Sequence, residues 1–272
     1  MPKVLLSVCL MMLSCAGGTG AIEEYASPGR NGPVEAKGKI VIIAGSPTTS
    51  EVTGWPIGAW AAEVTHPYYE FTNAGYEVEF ASPDGGEIRF DAWSEPTHES
   101  GYSKSDIVSL GFMQSPEKMA KLKKTKTIAS LRVEDYAAIF VAGGSSPMYT
   151  FRGNETLSKF VADFYETGKP TAVVCHGGVI LLETRLSNGK LLVDGKSWTA
   201  FSDEEERDVE KNTGQKMQPF WIETEARKIA STKFKTRPAW SGYAIKDGNL
   251  ITGQQQESGG LAARFVIESL AN

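Results

Sequence analysis

A short run that stops on a cysteine–histidine pair and two glycines, Thr171-Ala172-Val173-Val174-Cys175-His176-Gly177-Gly178, admits few backbone solutions. Its β-branched first half reads as a buried strand, and the glycines read as a tight turn that opens a helix at Gly177 or Gly178. A residue at such a corner projects from the end of a sheet. The free N–H groups and positive dipole end of the following helix favour thiolate over thiol there. Cys175 is therefore a candidate nucleophile, expected to have a depressed pKa and to alkylate faster than a free cysteine below neutral pH. The plain alternative is a small buried hydrophobe that closes a core strand.

Other runs place this corner in a sheet. Ile40-Val41-Ile42-Ile43-Ala44-Gly45 is apolar throughout and ends in small residues, as a central parallel strand covered on both faces does. Trp60, Val64, Pro67 and Phe71 form an apolar helical stripe that Asn73-Ala74-Gly75 terminates. Pro67 has no N–H for the carbonyl of Glu63, so the helix is expected to kink with Glu63 at the break. Tyr76 to Ala81 alternates as a second strand, and Ala137 to Ser145 is a further strand ending in glycines. Glu155 to Thr167 carries Leu157, Phe160, Val161 and Phe164 on one helix face before the Cys175 strand, which makes a right-handed βαβ unit. Residues 88–130 are polar and irregular except for a helix from Pro116 to Lys123, and are expected to be an insertion that covers the site. Beyond the corner, Leu191 to Thr199 reads as a hairpin turning at Asp194-Gly195. Helices are expected from Ser202 or Asp203, from Pro219 to Ile229 and from Leu261 to Leu270, with a last strand at Leu250 to Gly253.

The net charge of −5 is spread without a long basic block, which argues against nucleic acid as a partner; Lys118 to Lys126 reads as a solvated helix face. Lys3 followed by Val4 to Leu13 has the basic and apolar parts of a secretory signal and is too short to span a bilayer. Leu13-Ser14-Cys15-Ala16 resembles a bacterial lipobox, with Cys15 as the lipidated residue and Ala16 to Gly20 as a tether; the alternative is cleavage near Ala21. The reading divides the chain into a signal at 1–21, a linker at 22–38 and one domain at 39–272. The expected location is periplasmic or membrane-anchored, with the membrane reached only through the lipid. Of three cysteines, Cys9 and Cys15 lie in the prefix, so the domain keeps Cys175 alone and forms no internal disulfide. A lone thiol sent to an oxidising compartment is retained for chemistry more readily than for packing.

From about Lys39 to Leu270 the chain resembles the ThiJ/PfpI superfamily of class I glutamine amidotransferase-like proteins. The resemblance rests on Ala61-Ala62-Glu63-Val64-Thr65-His66-Pro67-Tyr68-Tyr69, Val141-Ala142-Gly143-Gly144, Val174-Cys175-His176-Gly177-Gly178, Thr199-Ala200-Phe201-Ser202-Asp203-Glu204-Glu205 and Leu250-Ile251-Thr252-Gly253-Gln254, in that order. It implies an α/β, flavodoxin-like, doubly wound and mostly parallel sheet with helices on both faces. It also implies a cofactor-free glyoxalase or deglycase and, in some members, a holdase chaperone. Carried onto this sequence, it makes Cys175 the nucleophile, Glu63 the carboxyl that shuttles a proton beside it, and His176 the general base. Asp203 or Glu204 becomes the acid that orients the histidine, and Gly144 and His176 supply backbone N–H groups to a developing oxyanion. Relatives commonly carry histidine where Ser145 stands and proline where Gly178 stands.

Two classes follow. One is an enzyme that adds Cys175 to a small 2-oxoaldehyde such as methylglyoxal and releases a 2-hydroxy acid, with no cofactor or metal and with homodimers expected from the family. The other is a non-catalytic stress protein, either a holdase or a sensor whose Cys175 is oxidised beside Glu63. A peptidase is a weaker third reading, and a glutamine-hydrolysing triad lacks its histidine, because none follows His176. Export is testable directly: Cys15→Ser is expected to move the protein from the membrane to the soluble fraction. An intact mass that retains Met1 would exclude either signal reading.

Overall fold

The computed structural model describes residues 36–271, and the signal and Cys15 fall outside them. In chain order the main elements are β1 (Lys39–Ile43), α1 (Ala61–Asn73), β2 (Glu77–Ser82), α2 (Ile107–Met113), α3 (Pro116–Lys123) and β3 (Lys126–Thr127). They continue with β4 (Ala138–Val141), α4 (Glu155–Glu166), β5 (Thr171–Val174), α5 (Asp203–Thr213), β6 (Ala244–Asp247), β7 (Leu250–Gly253) and α6 (Gly259–Ala271). Seven strands form one sheet in the order β6-β7-β5-β4-β1-β2-β3, parallel except where β6 pairs antiparallel with β7. This is the α/β fold with helices on both faces that the sequence predicts. Among the described residues no helix is long and apolar enough to cross a membrane.

The unbroken apolar runs are a two-sided core read along one strand. Val41, Ile43, Ile139, Val141 and Val173 pack with Leu157, Phe160, Val161 and Phe164 of α4. Their neighbours Ile40, Ile42, Phe140, Ala172, Val174 and Ile251 face the other way, against Val64 and Phe71 of α1 and Ala262, Ala263 and Val266 of α6. Side chains alternate along a strand, so a strand covered by helices on both faces must be apolar at every position.

The topology fixes where chemistry can sit. The chain passes from β1 outward through β2 to β3, and then returns to the opposite side of β1 for β4, β5 and β7. The direction of winding therefore reverses between β1 and β4, and the crevice at the carboxyl ends of the strands there is the usual ligand site of such sheets. Parallel register brings Ile43 level with Val141 and Val141 level with Val173, so the loops after β1, β4 and β5 meet at one edge.

Three local expectations are corrected. Residues 191–199 form no hairpin: the chain turns at Asp194-Gly195, but Ser197–Trp198 pairs in parallel with Lys233–Phe234. Leu192 and Val193 are both buried in succession, which leaves no alternating strand face to pair across such a turn. Of the helix expected from Pro219 to Ile229, only Ile222–Ala226 forms. The N–H groups of Lys228 and Ile229 bond three residues back and tighten the end. The helix expected to open at Gly177 or Gly178 already includes Cys175, and it is a 3₁₀-helix running Cys175–Leu182.

α6 packs on α1 through Gly259. A Cβ there would meet the Glu63 Cα at 3.4 Å and the Pro67 Cδ at 3.7 Å, so the space holds a methyl group and nothing larger. Gly259→Ala is expected to be tolerated and Gly259→Leu to lower stability by about 1–3 kcal/mol in urea denaturation, as overpacking does.

Candidate active site

Cys175 follows β5 directly and takes φ +54°, a left-handed conformation that costs a non-glycine residue energy and that here turns the chain off the sheet. The corner is shaped by two glycines after β4. A Cβ on Gly143 would stand 2.7 Å from both the Cys175 Cβ and the Glu63 Oε2, and one on Gly144, at φ +101°, would strike the Trp60 nitrogen at 2.3 Å. With no side chains in the way, the backbone N–H groups of Gly144 and His176 reach the Cys175 sulfur and favour its charged form.

Glu63, the third residue of α1, is completely buried. Its Oε2 accepts the N–H of Gly143 at 2.7 Å. Its Oε1 has no well-aligned donor among the described residues, and the neighbour that interacts with the carboxyl group is the Cys175 thiol. Burial pushes the Glu63 pKa up to about 7 against the opposing pull of Cys175 and Gly143. Burial likewise raises the Cys175 pKa, and the nearby Glu63 raises it further. The depressed thiol pKa expected from the turn alone is thus overridden, because a carboxylate and a thiolate cannot share a dry pocket. While Glu63 holds the proton that repulsion is absent, and the two backbone N–H groups and the protonated carboxyl all favour thiolate. The pair is best described as two acids sharing one proton.

His176 extends the chain of groups. Its Nδ1 lies 3.6 Å from the Cys175 Sγ and its Nε2 lies 2.9 Å from the Glu206 Oε1, both buried. A carboxylate only accepts, so the Nε2 carries hydrogen; in the neutral ring Nδ1 is then the acceptor facing sulfur, and in the imidazolium it is a donor. Burial lowers the His176 pKa, but Glu206 with smaller contributions from Glu63 and Asp91 outweighs it and the net shift is upward. The imidazole also stacks on Phe201, with ring centroids 4.2 Å apart.

The histidine's acid is therefore Glu206, where the sequence reading named Asp203 or Glu204. Asp203 is the first residue of α5 and accepts from the N–H and the hydroxyl of Thr224, at 3.1 and 2.7 Å. Glu204 accepts from Ala239 N–H at 3.3 Å. Glu205 closes a capping box with Ser202 and also accepts from Trp240 N–H. Four consecutive acids open this helix, and only its rotation against the sheet decides which one meets the imidazole. The capping box occupies Glu205, and no local signal singles out Glu206.

Asp91 was also missed. It is buried in the 88–130 segment and accepts from Gly58 N–H at 2.9 Å and Ser145 N–H at 2.7 Å, fixing the loop that carries Gly143 and Gly144. That segment contributes Ser94 as well, which accepts the N–H of Ala61 at the start of α1. Trp240 holds φ +64°, unusual for so large a residue. It is pinned by its bonds to Glu205 and Asp208 and sets its edge on Phe201. A surface cleft of about 540 Å³ beside α4, lined by Glu155, Lys159, Glu183 and Arg185, includes none of these residues. No group of three or more His, Cys, Asp or Glu among the described residues is arranged to hold a metal ion.

The buried carboxyl makes a pH-dependent stability prediction. Between the ordinary carboxyl range and about pH 7, folded Glu63 keeps a proton that the unfolded chain has released, so stability falls as pH rises through this window. Glu63→Gln lacks the effect. Its stability relative to wild type is expected to grow by about 3 kcal/mol between pH 4 and pH 8 in denaturant titrations. A constant difference would show that Glu63 titrates as an ordinary carboxyl group.

Comparison with known proteins places the chain in a family. The profile of the DJ-1/PfpI family matches residues 58–268. The chain is 27% identical over 221 residues to the glutathione-independent glyoxalase HSP31 of Saccharomyces cerevisiae, covering 80% of this chain and 92% of that protein. It is 27% identical over 220 residues to glyoxalase 3 of Candida albicans, covering 79% and 90%. The crystal structure of glyoxalase III from Candida albicans superposes with a TM-score of 0.70 at 25% identity, over 85% of this chain and 97% of that one. The Rapid Encystment Protein 24 KDa of Francisella tularensis superposes with a TM-score of 0.76 at 25% identity, over 86% and 100%. A strand ending in a strained cysteine, a buried carboxyl beside it and a family profile spanning most of the domain together make this chain a member of the DJ-1/PfpI family, homologous to glutathione-independent glyoxalases.

Proposed function

We propose that the protein is a cofactor-independent glyoxalase or deglycase that uses Cys175 on small 2-oxoaldehydes such as methylglyoxal. The observation that carries the reading is the position of the thiol between a carboxyl group that is protonated near neutral pH and an imidazole whose far nitrogen is held by Glu206. Thiolate adds to the aldehyde carbon, and the oxyanion that forms lies by the N–H groups of Gly144 and His176 before taking a proton to give a hemithioacetal. His176, or Glu63 once ionised, removes the proton from the former aldehyde carbon. The same proton returns to the adjacent carbon, leaving a 2-hydroxyacyl thioester. Water then cleaves the C–S bond, releasing the 2-hydroxy acid and restoring the thiol. Substrate plus one water balances the product.

The redox-sensor reading draws on the same pair, because a protonated Glu63 can donate to an oxidised Cys175 as readily as to a substrate. Turnover separates the two. Cys175→Ala is expected to abolish methylglyoxal consumption, and Glu63→Gln and Glu206→Gln to lower kcat by about 10²–10⁴-fold each, the usual cost of losing a positioned proton carrier or its support. Asp203→Asn is expected to leave the rate near wild type, since its carboxyl serves Thr224. Wild-type protein without Cys175-dependent turnover of methylglyoxal or glyoxal would end the glyoxalase reading in favour of the sensor.

A further inference from the structure

The reacting groups are shut away from solvent: Cys175 is 3% exposed, His176 6% and Glu63 0%. A substrate therefore has to pass a covering residue, and the geometry around Tyr102 identifies it. Tyr102 sits in the turn that begins at Gly101 in the 88–130 segment and is itself 50% exposed. Its ring meets Trp60 edge-on at 5.8 Å. Trp60 in turn donates its backbone N–H to the Gly143 carbonyl, so this contact anchors the tyrosine to the glycine corner itself. On the opposite side the Tyr102 hydroxyl accepts from the Gln256 side chain at 3.2 Å, across a separation of 154 residues. Gln256 opens the 3₁₀ turn Gln256–Ser258 between β7 and α6, three residues before α6 opens with Gly259 packed against the Glu63 backbone. Tyr102 thus ties Trp60, at the start of the helix that carries Glu63, to the turn that leads into α6. Burial raises the phenol's pKa against the pull of Gln256, and Cys175 lies near enough to add a smaller upward contribution.

We propose that Tyr102 is the size-selecting cover of the Cys175 pocket, admitting small, flat carbonyl compounds and holding out aromatic or branched ones. One aromatic edge contact and one neutral hydrogen bond are weak enough to part at each encounter and strong enough to favour the closed form. The inference rests on Cys175 being the reactive group of the site and not on the reaction assigned to it.

The test compares the rates at which iodoacetamide and N-phenylmaleimide label Cys175 in the full-length protein, read on the Cys175 peptide by mass spectrometry so that Cys9 and Cys15 do not contribute. Tyr102→Ala and Tyr102→Leu are each made, so that a loss of fold in the smaller variant leaves the leucine variant, which keeps apolar bulk, to decide the question. Removing the ring is expected to raise the phenylmaleimide rate, relative to the iodoacetamide rate, by about tenfold, the scale of one lost aromatic contact and one lost hydrogen bond. An unchanged ratio in the folded variants would overturn the proposal, even if methylglyoxal turnover is normal. A changed ratio would uphold it, even if turnover is absent.

Discussion

A carboxyl group kept out of water beside a thiol is the constraint on which this structure depends. Glu63 forms no ion pair among the described residues; what it meets is one backbone N–H and the Cys175 sulfur, with a smaller pull from His176. In such a place a full negative charge on both groups is prohibitive, so one proton must remain between them near neutral pH. That proton stabilises a thiolate when it sits on Glu63, and in the proposed reaction it is the one a substrate oxygen takes. The proposal thus draws acid and nucleophile from two neighbouring side chains.

Much of the surrounding fold exists to keep the pair dry and aligned. The left-handed φ at Cys175 brings the sulfur off the sheet, and the absence of side chains at Gly143 and Gly144 lets α1 close against it. Asp91 clamps the glycine loop from outside, and Gly259 lets α6 press on the backbone of Glu63. On α5 two adjacent acids divide the work: Glu205 caps the helix and holds the Trp240 loop, while Glu206 holds His176. Trp240 and Phe201 then pack in line on the imidazole. Burial is part of the chemistry here, since exposure of Glu63 would return its pKa to the ordinary carboxyl range and remove the shared proton.

The sheet was legible in the sequence because a strand covered on both faces leaves an unbroken apolar run, and β5 and β7 lie where those runs stand. Helix boundaries were legible where local chemistry punctuates them, as at Pro116–Lys123, which Ser115 caps and Pro116 opens. The cysteine corner was visible for the same reason. Features decided by tertiary packing were hidden. Nothing local tells Glu206 from the three acids before it, and Asp91 acts on Gly58 and Ser145 from a segment with no periodic pattern. The direction of the thiol pKa was misread because the turn favours thiolate while burial and Glu63 oppose it, and the larger effect comes from residues distant in sequence. The pairing of Ser197–Trp198 with Lys233–Phe234 is equally nonlocal.

The shared proton is open to direct observation. An infrared difference spectrum of wild type against Glu63→Gln, followed across pH, isolates the carboxyl stretch of a protonated Glu63 in its buried site. The account predicts that this band persists into neutral solution and disappears with a midpoint near pH 7, the value to which burial raises Glu63. A band already gone in mildly acidic solution, where an ordinary glutamate has lost its proton, would contradict it.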